Sequence, residues 1–140
     1  MSRVALGALG ALALSAAWPA RAADDCGAAL KVAQPWIAAA DGARIAFVSR
    51  PAPPPVGQHF DLDFVVCAAA VVRGDAAIRV DADMPAHRHG MNYRATVSTL
   101  SPGVYRAHGL MFHMPGRWRV IFDLPLEGRT LRLAREIDVQ

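Results

Sequence analysis

Short runs of alternating apolar and polar residues, separated by proline and glycine, constrain the fold of this chain more than any other feature. In residues 59–67, apolar side chains occupy every second position and two aspartates lie between them. Residues 117–124 repeat this pattern, with one face formed by Trp118, Val120, Phe122 and Leu124 and the other by Arg117, Arg119 and Asp123. A period of two residues is typical of a strand with one buried face. No stretch after residue 42 shows the apolar stripe of an amphipathic helix. The sequence therefore predicts an all-β protein.

The alternation predicts seven strands joined by short turns. They cover residues 43–50, 59–67, 77–83, 93–100, 104–110, 117–124 and 130–139. Seven short antiparallel strands in about 100 residues are typical of an immunoglobulin-like β-sandwich. We expect one such domain over residues 43–140. The preceding segment, residues 23–42, has no clear pattern, and we expect it to pack on the sandwich through Trp36.

Residues 1–22 have the features of a secretory signal peptide. Arg3 is followed by an apolar run, and the small residues Ala20 and Ala22 suggest a cleavage site. The run is too short to span a bilayer. Loss of Arg3 and Arg21 would leave 13 Lys and Arg against 12 Asp and Glu, a balance that does not indicate nucleic-acid binding. We expect an exported, periplasmic protein without a membrane span after cleavage.

Both cysteines, Cys26 and Cys67, would remain in the exported chain. In an oxidising compartment such a pair is expected to form one disulfide. The alternative is that the two thiols bind a soft metal. However, they lack the CxxC spacing of a metal site, so we expect the disulfide.

Histidine and methionine are concentrated in one part of the chain. Four of the five histidines and four of the five methionines lie within residues 84–114. The two side chains share an affinity for soft and borderline metals, above all copper(I). They occur in two pieces, residues 84–91 and 108–114. If strands alternate in direction, both pieces open at the same end of a sandwich, together with residues 51–57 and His59.

The strongest candidate metal ligands are His87, His89 and Met91, because their shared parity aims all three side chains to one side of an extended backbone. The further candidates are His113, Met84 and Met111, of which Met111 and His113 repeat this parity in the second piece. Thioether and imidazole without carboxylate favour copper, with zinc as the competitor. His108 shares the parity of Arg106 and is expected to face outward. Taken singly, each residue has an ordinary explanation in packing or solvation; the metal site is predicted from the group.

Two motifs in these pieces resemble the YtkA-like and FixH-like family. The first is Met84-Pro-Ala-His87-Arg-His89-Gly-Met91, followed by Gly103-Val-Tyr105, and the second is Gly109-Leu-Met-Phe-His113-Met-Pro-Gly116-Arg-Trp118. The resemblance covers residues 42–125. It implies an immunoglobulin-like sandwich in an exported or membrane-tethered protein, often associated with copper handling or respiratory oxidase assembly.

The leading hypothesis is a periplasmic copper chaperone or carrier. It would exchange copper(I) with a copper-donating or copper-accepting protein of the periplasm or membrane. The alternative is a metal-free interaction module, or an accessory protein of a membrane complex such as a respiratory oxidase or a transporter. That module would dock through arginines on the rim and one sheet face, namely Arg88, Arg94, Arg106, Arg117 and Arg119.

Catalysis is not expected. The chain has no G-x-S-x-G elbow, no Cys/His nucleophile arrangement and no cofactor-binding loop. Two pairs of aspartates share strand faces, Asp61 with Asp63 and Asp81 with Asp83. We interpret both pairs as solubilising side chains on exposed faces.

Overall fold

A computed structural model describes residues 25–67 and 78–140. Nine strands lie within these residues: β1 (Trp36–Ala40), β2 (Ala43–Arg50), β3 (His59–Cys67), β4 (Arg79–Met84), β5 (His89–Gly90), β6 (Thr96–Ser101), β7 (Val104–Met111), β8 (Gly116–Leu126) and β9 (Arg129–Val139). Single turns of 3-10 helix occur at Ala28–Leu30 and Pro85–His87. The predicted signal peptide, residues 1–22, lies outside the described residues.

The described strands form two antiparallel sheets. A five-stranded sheet has the order β1-β2-β3-β7-β6, and a four-stranded sheet has the order β5-β4-β8-β9. The sheets pack face to face and bury their apolar faces against each other. The predicted all-β sandwich is therefore confirmed.

Large apolar side chains fill the space between the sheets. Phe47 and Phe64 of the five-stranded sheet contact Phe122 of the other sheet, at ring-centre distances of 5.1 and 5.3 Å. All three are fully buried, as is Trp118 near the start of β8. Burial of each such side chain contributes about 1.5–3 kcal/mol. The period-two pattern thus identified the inner face of β3 and β8 correctly.

The segment before β2 packs on the edge and on the outer face of the five-stranded sheet. β1 pairs with β2, and the Trp36 ring lies 5.5 Å from that of Phe47. Ahead of β1, Leu30 packs against Ala46 and Val48 on the outer face. Trp36 therefore anchors β1 on the sandwich.

The predicted disulfide between Cys26 and Cys67 is confirmed. Their Cα atoms lie 5.9 Å apart and the bond closes a separation of 41 residues. It ties the start of the described chain to the last residue of β3. His59 begins the same strand, and eight residues at about 3.3 Å each place it about 26 Å from Cys67. The disulfide and the His59 end of β3 therefore lie far apart.

Two strands, β1 and β5, were not predicted. β1 is uniformly apolar and shows no alternation, and β5 has only two residues. In addition, β6 begins at Thr96 rather than at residue 93. The cause is a tight reversal after β4: the Pro85–His87 turn and a left-handed Arg88, with φ +55°, send the chain back along β4. A reversal this short leaves no periodic pattern in the sequence.

Candidate metal site

Three connections meet at one end of the sandwich, which we call the rim (residues 51–58, 85–95 and 112–115). The Gly57 N–H donates to the Phe112 carbonyl at 2.7 Å. His89 and His113, from the other two connections, have ring centres 4.8 Å apart. The structure therefore brings the two His/Met pieces together at the same end, where strand counting had placed them.

Three of the predicted ligands form a row of imidazoles, which we call the histidine row. His89 is in the middle, with its ring centre 4.8 Å from that of His113 and 5.6 Å from that of His87. Two histidines on one metal, with metal–nitrogen bonds of about 2.0 Å, have ring centres about 5–6 Å apart. Each neighbouring pair in the row is thus close to the spacing of a shared metal.

The reversal after β4 sets the positions of His87 and His89. Pro85 fixes the backbone at the start of the turn. When the chain returns, His89 pairs directly with Met84. Residues directly opposite in an antiparallel pair point to the same side of the sheet. Because Met84 is buried between the sheets, His89 also faces the inner side.

Trp118 lies against two of the three histidines. Its ring centre is 5.2 Å from that of His113 and 5.9 Å from that of His89. The indole N–H donates to the Met114 carbonyl at 3.0 Å, and the ring packs on Phe112. This fully buried indole gives the histidine row a rigid apolar floor. The alternation placed Trp118 on the apolar face of its strand but did not link it to the site. Its position just after the second His/Met piece was the one sign in the sequence that it could lie beside the histidines.

One nitrogen of His89 is in an unusual environment. Its Nδ1 is buried, and no hydrogen-bond partner for it exists among the described residues. An unpaired buried polar atom costs about 1–3 kcal/mol. A buried ring nitrogen without a hydrogen-bond partner, on a ring close to a second imidazole, is a feature that a bound metal ion would explain.

Met84 and Met91 lie on the same inner side as His89. Met84 is 2% exposed and belongs to the core. Met91 is half-buried against the same core, and its backbone N–H donates to the Ala82 carbonyl at 3.0 Å. Both thioethers therefore come from residues that the core holds in place.

Met111 points in another direction. It is directly opposite His59 in the pair of β3 and β7. Its neighbours Leu110 and Phe112 are fully buried, so Met111 faces the outer side of the five-stranded sheet. The structure thus places Met111 with His59, whose ring contacts that of Tyr93 at 4.8 Å.

His108 also faces outward, as predicted, further along the same sheet. Its Nδ1 lies 3.2 Å from Asp61 Oδ2, and its Nε2 lies 3.1 Å from Ser98 Oγ. Both ring nitrogens have partners on neighbouring strands. His108 therefore bridges three strands and is not a free ligand.

Asp63 corrects an expectation from the sequence. We interpreted it as an exposed, solubilising residue, but it is only 5% exposed. Arg106 donates to both of its carboxylate oxygens at 2.6 and 2.9 Å, and Arg50 donates at 3.0 Å. Burial alone would raise the pKa of Asp63, but the hydrogen bonds and charges of the two guanidinium groups outweigh it and lower the pKa. The alternation showed which side Asp63 faces, but not that arginines cover that side.

Three of the five arginines considered for docking form ion pairs between strands. The pairs are Arg106 with Asp63, Arg117 with Asp138, and Arg119 with Asp83. A partner that used these arginines would have to compete with the aspartates. The structure therefore gives the docking alternative less support than the sequence did.

The histidines alone do not make a metal site. Across residues 25–67 and 78–140, no three His, Cys, Asp or Glu side chains are grouped so that they could hold a metal ion. A metal ion at the histidine row would therefore need sulfur ligands as well. Methionine thioethers are soft ligands that suit copper(I) and contribute little to a zinc site.

Comparison with known families gives one match. The family model described as YtkA-like matches residues 37–123, which include both His/Met pieces. No curated protein and no solved structure matches the chain significantly. Within the ranges that the structure describes, no helix is long and apolar enough to cross a membrane.

Proposed function

Since this chain belongs to the YtkA-like family, and since its fold gathers histidines and methionines at one rim, we propose that it is a periplasmic copper(I) carrier. The histidine row supplies nitrogen ligands, and Met84 and Met91 supply sulfur. The disulfide between Cys26 and Cys67 supports export, because such bonds persist in oxidising compartments.

The observation that carries this proposal is the buried, unpartnered Nδ1 of His89. The His89 ring lies between two further imidazoles, and His89 is directly opposite Met84 on the same side of the sheet. A ligand set of imidazole and thioether without carboxylate favours copper(I) over harder divalent ions. Copper(I) is the cargo in this proposal and not a resident cofactor.

Exposure along the histidine row suggests how the cargo would be exchanged. His87 and His113 are exposed, whereas His89 is half-buried and Met84 is buried. Ligands of a copper-donating or copper-accepting protein would reach the metal on the His87 and His113 side. They would replace these two histidines first, and His89 and Met84 would release the ion last.

The test is a copper(I) titration of the purified exported chain in competition with a chromophoric chelator. We expect one tightly bound ion at the histidine row. Replacing both His89 and His113 by Asn removes two ligands and should weaken binding by more than about 100-fold, since even residues around the ligands contribute 10–100-fold. Unchanged affinity in this double variant would overturn the proposal.

Two measurements make the test specific. His108→Asn is the matched control, because His108 is held by Asp61 and Ser98 away from the row, and its affinity should equal that of the wild type. Tryptophan emission is the second readout, since Trp118 contacts His89 and His113. In a Trp36→Phe background, copper(I) should change the Trp118 emission, and the double variant should abolish that change.

A further inference from the structure

His59 and Met111 form a second His/Met pair on the other side of the five-stranded sheet. They are directly opposite each other in the pair of β3 and β7. His59 is exposed, and Met111 is half-buried. His59 was not among the predicted ligands, and parity alone had grouped Met111 with His113.

The distance across the strand pair suits a shared soft ion. Directly opposite residues have Cβ atoms about 4.5–5.5 Å apart. One metal ion, with bonds of about 2.0 Å to nitrogen and about 2.3 Å to sulfur, holds the two ligand atoms at most about 4.3 Å apart. An imidazole and a thioether that start from neighbouring strands can therefore reach one ion.

The imidazole of His59 is free to bind. His108, on the same outer face, uses both of its ring nitrogens in contacts with Asp61 and Ser98. For His59, the described part of the chain provides only a ring contact, edge to face with Tyr93 at 4.8 Å. This contact orients the ring and leaves both nitrogens unpaired. Tyr93 follows Met91 in the same connection, so the pair borders the histidine row.

We propose that His59 and Met111 constitute a second binding site for copper(I), separate from the histidine row. The pair lies on the outer face of the sandwich, where a metal-carrying partner can reach it. The site combines one nitrogen and one sulfur ligand, so it favours soft monovalent ions over zinc. The chain then binds two copper(I) ions, one half-buried and one exposed.

Silver(I) is the probe for this site, because it has the charge and softness of copper(I) and does not oxidise in air. Protein carrying ¹³C-labelled methionine methyl groups is titrated with silver(I) and followed by NMR. We expect two ions per chain, with shifts of the Met84 and Met91 methyls and, separately, of the Met111 methyl. In His59→Asn, the Met111 shift should vanish and the stoichiometry should fall to one.

A complementary variant separates this site from the proposed function. Replacing His87, His89 and His113 by Asn should abolish the shifts of Met84 and Met91 while the Met111 methyl still responds. If in the wild type the Met111 methyl responds but copper does not bind at the row, the proposed function is overturned and the second site stands. A Met111 methyl that does not respond in the wild type, or that still responds in His59→Asn, shows that the pair is not a site. Loss of the Met111 methyl response in the triple variant would assign Met111 to the row instead.

His108→Asn is the control variant, and it should still bind both ions.

Discussion

Met84 and His89 lie directly opposite each other in the antiparallel pair of β4 and β5. This pairing gives Met84 two roles: its side chain fills the core, and under the proposed function its sulfur binds the metal. The two roles predict different effects of different substitutions. A change that keeps the volume should affect metal binding alone, whereas a change that removes volume should affect both.

Met84→Leu is the volume-conserving change. Swaps between Met and Leu usually cost less than about 1.5 kcal/mol, so the urea midpoint should move little. Copper(I) affinity should fall because one sulfur ligand is lost. Met114→Leu is the control, since Met114 is also a methionine packed against the core but is not one of the proposed ligands. Equal copper(I) affinity in the two variants would exclude Met84 as a ligand.

Gly116→Ala should disturb both the core and the site. Gly116 has φ +131°, and an added Cβ would lie 2.7 Å from the Met84 methyl carbon. Backbone strain should account for most of an expected loss of about 2–3 kcal/mol in the free energy of unfolding, because the Met84 methyl is the end of a flexible side chain and can shift. Gly128→Ala is the matched control, because Gly128 also has a positive φ but has open space around it. Gly128→Ala should lower the free energy of unfolding by about 1–2 kcal/mol. Urea denaturation of both variants measures the two losses.

Removal of the disulfide should lower the free energy of unfolding without changing the copper(I) affinity. For a separation of 41 residues, the chain-entropy estimate is about 4 kcal/mol. The double variant Cys26→Ser, Cys67→Ser should therefore show a large loss of unfolding free energy in urea. At a temperature where it remains folded, its copper(I) affinity should match the wild type, because the bond joins the chain far from the rim. A parallel loss of affinity would show that the rim depends on this cross-link.

Asp63 should make the stability of the fold sensitive to acid. Its folded pKa lies below the ordinary value of 3.8, so its ion pairs stabilise the fold above that pH. This contribution is lost as the pH falls through the folded pKa. Asp63→Asn should cost about 1–3 kcal/mol at neutral pH, and its difference from the wild type should shrink near pH 3.

Urea denaturation of both proteins at the two pH values checks this prediction. Asp41→Asn is the control, because Asp41 pairs with Arg129 on the exposed surface, and exposed pairs contribute little. A constant difference between Asp63→Asn and the wild type across this pH range would show that the Asp63 charge is not responsible.

The sequence predicted those structural features that leave a repeating pattern of residues along the chain, and it missed those that do not. The inner faces of β3 and β8 were predicted because alternation over eight or more residues leaves a clear pattern. The meeting of the two His/Met pieces also followed, because strand direction alone determines which connections share an end. The β5 reversal was missed because it is only a few residues long.

The parity of positions along one strand does not predict which residues lie opposite each other on neighbouring strands. Parity grouped Met111 with His113, but β7 ends at Met111 and the two side chains separate. The side that Asp63 faces was predicted, but its burial depends on the register that sets Arg106 opposite it. The pairing of Met84 with His89 likewise depends on a register that no single strand encodes.

The fixed position of Trp118 has a consequence for how many cycles of metal binding and release the protein could undergo. Its position is set by Phe112 and the surrounding core, so the imidazoles that rest on it do not require an ion to be arranged. Small zinc domains, by contrast, unfold when the metal leaves. Under the proposed function, a rim supported in this way could be emptied and refilled repeatedly while the domain stays folded, so the lifetime of the protein would not depend on whether it carries its cargo.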